Sequence, residues 1–70
     1  MDMLPVISSS IAFIGYDSPS NILRISFRNG GTYNYHGVSD DIAKQFLSAP
    51  SKGRYYAQFI KGRFNQQRIL

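Results

Sequence analysis

The stretch Ala49-Pro50-Ser51-Lys52-Gly53-Arg54-Tyr55-Tyr56 puts a hydroxyl, a small residue and two cations where a helix would begin. The first N–H groups of a helix have no intrahelical acceptor, so such a start can hold an anion, phosphate above all. In that role Gly53 permits close approach, Lys52 offers a point charge and Arg54 a forked donor. The same residues have a purely structural use, in which Ser51 caps the helix, Gly53 lets it pack against a neighbouring backbone and the cations are solvated. A second group with chemical potential is the tyrosine set Tyr33, Tyr35 and Tyr55, whose rings could stack on nucleic-acid bases. Lys61 and Arg63 extend the basic run beyond the helix start, and Arg24 and Arg28 lie on a candidate strand.

Catalysis is poorly provided for. The chain has one histidine, His36, four aspartates, and neither glutamate nor cysteine. General acid–base work needs positioned carboxylates, histidine or a tuned lysine, and no nucleophile elbow accompanies the serines. A lone histidine builds no usual zinc site. The expectation is a binding protein with no enzymatic activity, cofactor or metal.

Charge is distributed unevenly. Asp2, Asp17, Asp40 and Asp41 face Arg24 and Arg28 in residues 1–41, a sum of −2. After Asp41 no acidic residue opposes Lys44, Lys52, Arg54, Lys61, Arg63 and Arg68, so the last 29 positions carry +6. A one-sided field of this kind attracts nucleic acid, phosphate or an acidic protein surface, and equally serves as a solvated face.

Seventy residues allow one hydrophobic core and exclude a second domain. Without cysteine no disulfide can reinforce that core, so stability must come from packing, with self-association into a homo-oligomer as a further aid. No apolar run approaches the roughly 20 residues of a membrane span, and no signal-peptide pattern opens the chain, which points to a cytoplasmic protein.

The elements that would position these groups follow from periodicity. Residues 1–8 read as a lead-in, with Pro5 unable to donate a backbone hydrogen bond. Ser9 to Tyr16 is apolar on both faces, as in a central or covered strand. Beyond the turn residues Asp17 to Asn21, Ile22 to Arg28 alternates strictly, with Leu23, Ile25 and Phe27 opposite Arg24, Ser26 and Arg28. Asn29-Gly30-Gly31 can supply the positive φ of a hairpin, and Thr32 to His36 forms the third strand before Gly37. Ser39 caps a first helix whose Ile42, Ala43, Phe46 and Leu47 share a face until Pro50. Ser51 caps a second helix through about Arg63, with Tyr56, Phe59 and Ile60 on one side. Residues 65–70 form a polar tail. The predicted fold is α+β, a three-stranded antiparallel meander with two C-terminal helices packed on one face.

Hairpin register decides where the tyrosines point. A two-residue turn pairs Ser26 with Tyr33 and sends Tyr33 and Tyr35 to the arginine face, as a base-stacking platform. A three-residue loop through Gly31 pairs Phe27 with Tyr33 and sends both rings to the core, leaving Arg24, Arg28, Asn34 and His36 on the other face. A slip of one residue reverses the reading. Burial of two rings, at about 25 cal/mol per Å2, favours the inward register in so small a core.

Taken in order, ISSSIAFIGYD, LRISF, YNY and APSKGRYYAQFIKGRF resemble the KTSC domain, from about Val6 to Arg63. That family is named for its occurrence at the C-terminus of some lysyl-tRNA synthetases and also comprises free-standing bacterial and phage proteins. The resemblance maps onto Ser8, Ser9, Gly15, Tyr16, Tyr33, Tyr35, Ser51, Lys52, Gly53 and Ile60, with Pro50 inserted between alanine and serine as a departure. Its association with a tRNA enzyme implies binding of RNA or another nucleic acid. The alternative expectation is a bacterial or phage accessory protein that binds a host protein or sequesters a small anionic nucleotide.

Overall fold

A computed structural model describes all residues, Met1–Leu70. Five strands form one antiparallel sheet in sequence order: β1 (Leu4–Pro5), β2 (Ile11–Asp17), β3 (Ile22–Phe27), β4 (Thr32–His36) and β5 (Asn65–Arg68). Between β4 and β5 come helix α1 (Asp40–Ser48), helix α2 (Lys52–Tyr55) and a π turn at Tyr56–Ile60 that continues α2. The α+β class and the two helices agree with expectation, but the meander has five strands rather than three. Both extra strands come from segments read as lead-in and tail. They are held by backbone pairing, Leu4 opposite Ile14 on one edge and Tyr33 opposite Arg68 on the other, and need no apolar alternation of their own.

The strand β2 contains a bulge: Ile11 pairs with Phe27 and Phe13 with Ser26, leaving Ala12 as the extra residue. Ile11 and Ile14 therefore reach the same face although three residues apart, and both are fully buried. Leu23 and Ile25 of β3 and Tyr35 of β4 join them, and Val38, Phe46 of α1 and Ile60 of the π turn close the core from above.

Neither expected hairpin register occurs. Ile25 pairs with Tyr33 and Leu23 with Tyr35, because the loop comprises Arg28, Asn29 and Gly30 and is closed by the Phe27 N–H donating to the Gly31 carbonyl. Gly30 and Gly31 take φ of 105° and 90°, conformations a Cβ disfavours. The pairing differs from the inward register by two residues, which preserves side-chain parity. Tyr35 is accordingly 1% exposed in the core, and Thr32 and Asn34 lie on the opposite face.

Ser39 caps α1 through its hydroxyl, which accepts from the Ile42 N–H, and Ser51 caps α2 by accepting from the Arg54 N–H. The second helix stops at Ile60 rather than near Arg63. The Lys61 N–H closes the π turn on the Tyr56 carbonyl at 2.8 Å, Lys61 itself is extended, and Gly62 at φ 74° turns the chain into β5.

A polar clamp joins the β2–β3 turn to the start of α1. The Tyr16 hydroxyl donates to the Val38 carbonyl at 2.6 Å, lies 3.0 Å from Asp40 Oδ1 and accepts from Asn21 Nδ2 at 3.0 Å. Ser18 also donates to Asp40 Oδ1. Hydrogen bonds from Ser18 and Tyr16 hold the Asp40 carboxyl below its ordinary pKa, while partial burial raises that of Tyr16. On the far face of the sheet Met1–Met3 lies over Gly15, where an added Cβ would come within 2.5 Å of the Met3 sulfur. No helix is long and apolar enough to cross a membrane.

Candidate nucleic-acid interface

The helix start that sequence singled out is engaged mainly with its own protein. The Ser51 hydroxyl is occupied by the Arg54 N–H at 3.3 Å, and Lys52 Nζ donates to the Ala49 carbonyl at 2.6 Å. Gly53 does permit close approach, but the neighbour is Ser10, whose Oγ would lie 2.9 Å from a Cβ at that position. Ser8 prepares this contact by accepting from the N–H groups of Ser10 and Ile11, both at 3.2 Å, which turns the chain into β2. Arg54 is exposed beside a cleft of about 220 Å3 shared with Pro50, Tyr55 and Gln58.

Arg24 on β3 and Arg28, which falls in the hairpin loop rather than on the strand, also serve the fold. Arg24 Nε donates to Asn34 Oδ1 at 2.8 Å across the outer face of the sheet. Arg28 clasps the loop before β2, with Nε on the Ser8 carbonyl at 2.6 Å and Nη2 on the Val6 carbonyl at 3.3 Å. Tyr55 is likewise a packing residue. Its ring stacks on Phe46 at 5.5 Å and meets Phe59 at 4.8 Å, and its hydroxyl reaches the Ile42 carbonyl at 3.4 Å and Gln45 at 3.2 Å. Burial raises its pKa.

Tyr33 and Tyr35 do come together, and with residues that sequence reasoning missed. At the open end of the core face, Phe27 meets Tyr33 at 5.9 Å and Tyr56 at 5.2 Å, and Tyr56 meets Tyr35 at 6.0 Å, each pair edge to face. The hydroxyls of Tyr35 and Tyr56 are 3.0 Å apart. Burial, then this hydrogen bond, drives the Tyr35 pKa far above that of a free phenol. The edge strand β5 adds Gln66 and Arg68, and the Arg68 guanidinium carbon sits 5.9 Å from the centre of the Tyr33 ring, within cation–π range. With Asn29 at the hairpin tip these groups surround a cleft of about 430 Å3.

The other members of the basic set, Lys61 and Arg63, are exposed on the segment joining the π turn to β5. Arg63 Nε donates to the Gln58 carbonyl at 3.0 Å, which leaves its terminal nitrogens available. Phe27 was legible as a core-facing strand residue. Gln66 and Arg68 give no signal until the tail is known to pair with β4.

A family model for the KTSC domain matches residues 7–64, most of the chain. The chain belongs to the KTSC domain family. In this KTSC protein the matched range ends just before β5, so Gln66 and Arg68 lie outside it. The chain is 45% identical to a KTSC domain protein of Yersinia pestis whose crystal structure superposes with a TM-score of 0.97, covering 99% of this chain and 97% of that one. It is 40% identical to a small protein of Tsukamurella paurometabola, over 89% of this chain and 92% of the relative. A lysine–tRNA ligase of Trichormus variabilis is 35% identical over 77% of this chain, which corresponds to 10% of that ligase. The KTSC positions named from sequence are spread over the fold: Tyr16 belongs to the clamp on α1, Gly15 lies under Met1–Met3, Ile60 is in the core, and most of the others gather in two places. Ser8, Ser51, Lys52 and Gly53 make the junction between α2 and the loop before β2, while Tyr33 and Tyr35 reach the aromatic cleft.

Proposed function

We propose that this KTSC domain is an RNA-binding module. The observation that carries the reading is a run of exposed cations that ends in the aromatic cleft: Arg54, Lys61, Arg63 and Arg68 are exposed along the stretch of chain from α2 through β5, and the last of them, Arg68, lines the cleft. Exposed guanidinium and ammonium groups in such a run hold a phosphate backbone without reading sequence. Occurrence of a related segment inside proteins named lysine–tRNA ligase supports RNA as the nucleic acid.

One feature sharpens the expectation from sequence. Lys52 and Arg28 are tied to backbone carbonyls and Arg24 is half-buried on the outer face of the sheet, so the phosphate contacts fall to the exposed Arg54, Lys61, Arg63 and Arg68. The test is fluorescence anisotropy of a labelled single-stranded octaribonucleotide at low salt. Wild type is expected to bind, and the variant Arg54→Gln/Lys61→Gln/Arg63→Gln/Arg68→Gln to lose that binding while keeping its circular dichroism spectrum. Equal binding by the two proteins refutes the reading.

A further inference from the structure

The cleft contains more than charge. Its walls are the rings of Phe27, Tyr33 and Tyr56, and its rim holds the amides of Asn29 and Gln66 and the Arg68 guanidinium. The geometry points to a pocket for a single unpaired nucleobase, the base of an RNA strand whose phosphates lie on the neighbouring cations. The inference rests on the RNA-binding reading for the source of the base.

Size is the first support. About 430 Å3 is open with every side chain in its present position, Arg68 included, and that falls within the range of small-molecule sites.

Chemistry is the second. A nucleobase has an apolar π face and an edge of alternating donors and acceptors. The cleft exposes more polar than apolar surface, so the amides and the guanidinium meet the edge while the ring atoms of Phe27, Tyr33 and Tyr56 that line it offer the face a smaller contact, of a kind that tolerates any base. Each amide at the rim carries both a donor and an acceptor and can turn to suit the edge it meets. Tyr35 and Tyr56 behave alike, because one hydroxyl proton bridges the pair at 3.0 Å and the second hydroxyl can offer a proton or a lone pair. A site of this kind holds a base firmly and discriminates weakly among the four.

Competing ligands fit less well. An aromatic cage for an organic cation would exclude Arg68, and no carboxylate lines the cleft to attract one. A purely apolar ligand would leave the amides, hydroxyls and guanidinium without partners. Arg68 instead suits the phosphate that accompanies every base, with its Nε donating to the main-chain oxygen of Leu70 at 2.9 Å and its terminal nitrogens free.

The experiment compares a labelled octauridylate with an octamer of the same backbone lacking bases, using fluorescence anisotropy at fixed low salt. The inference expects the base-bearing strand to bind about tenfold more tightly. That preference should vanish in Tyr56→Ala, with affinity for the abasic strand unchanged. Since Tyr56→Ala removes a core contact, the exposed pair Asn29→Ala/Gln66→Ala serves as a second variant and should reduce the preference without touching charge. Uridine added to 15N-labelled protein should shift the amide resonances of Tyr33, Tyr56 and Gln66. Equal affinity for both strands, or a base preference that survives in both variants, overturns the pocket while leaving RNA binding intact. Uridine shifts at the cleft without binding of either octamer would support the pocket and overturn the RNA-binding reading. If neither strand nor uridine binds, both fall.

Discussion

Replacing Tyr16 with phenylalanine removes one oxygen and tests whether a residue of the KTSC pattern acts as a fold clamp. That hydroxyl donates to the Val38 carbonyl at 2.6 Å, approaches Asp40 at 3.0 Å and accepts from Asn21 at 3.0 Å, tying the β2–β3 turn to the start of α1. Asn21 Nδ2 also reaches the Val38 carbonyl at 3.2 Å, so that carbonyl keeps one donor after the change. The net cost is therefore that of one to two hydrogen bonds, about 1–2 kcal/mol. In a domain of this size each kcal/mol moves the melting temperature by about 4–8 °C, so Tyr16→Phe should melt roughly 4–16 °C lower. Thermal and urea unfolding followed by circular dichroism measure it. Acid sensitivity gives a second reading. The folded-state pKa of Asp40 is depressed, so its contribution is present above the unfolded carboxyl value and is lost as pH falls through the folded one. Because Tyr16 is one of the groups depressing it, Tyr16→Phe should lose less stability on acidification than wild type does. RNA affinity should not change. A melting temperature within a degree of wild type, with the acid dependence intact, would refute the clamp.

Other expectations separate structural from binding residues. Arg28→Ala should destabilise by about 1–3 kcal/mol, since it frees the Ser8 and Val6 carbonyls, yet leave the salt dependence of RNA binding unaltered in titrations at several ionic strengths. The Tyr35 pKa is raised in the fold, so its contribution is complete below the phenol value near 10 and is lost as pH rises above it. Tyr35→Phe should accordingly move the alkaline limb of a pH–stability curve to higher pH. Removing residues 65–70 deletes β5 and should lower stability by about 1–3 kcal/mol through lost edge pairing, measured by urea unfolding, and remove base-dependent binding with it.

What could be read from the chain depended on whether side chains or backbone made the decision. Strict alternation in Ile22 to Arg28 identified β3 and its buried face, and Ser39 and Ser51 marked both helix starts because their hydroxyls bond the N–H three residues on. The inward tyrosines were legible through parity. The hairpin closes two residues away from the expected pairing, and a shift of two returns each side chain to the same face. Tail strand β5 was not legible, because Asn65-Gln66-Gln67-Arg68 has no apolar period and pairs through its backbone with β4. The cleft was missed with it, since Gln66 and Arg68 form one side. No residue type encodes the π turn that brings Tyr56 to Phe27. Gly53 was recognised as a site of close approach, but Ser10, which fills the space, lies some forty positions earlier in the chain.

Salt dependence of RNA binding tests the central claim most directly. Four cations on a single strand give a slope of log K against log salt of about −2.8, or roughly 50-fold weaker binding between 50 and 200 mM. The account predicts that slope for wild type and a stepwise flattening by about 0.7 as Arg54, Lys61, Arg63 and Arg68 are neutralised in turn. A slope near zero in wild type, or one that the four substitutions leave unchanged, would contradict it.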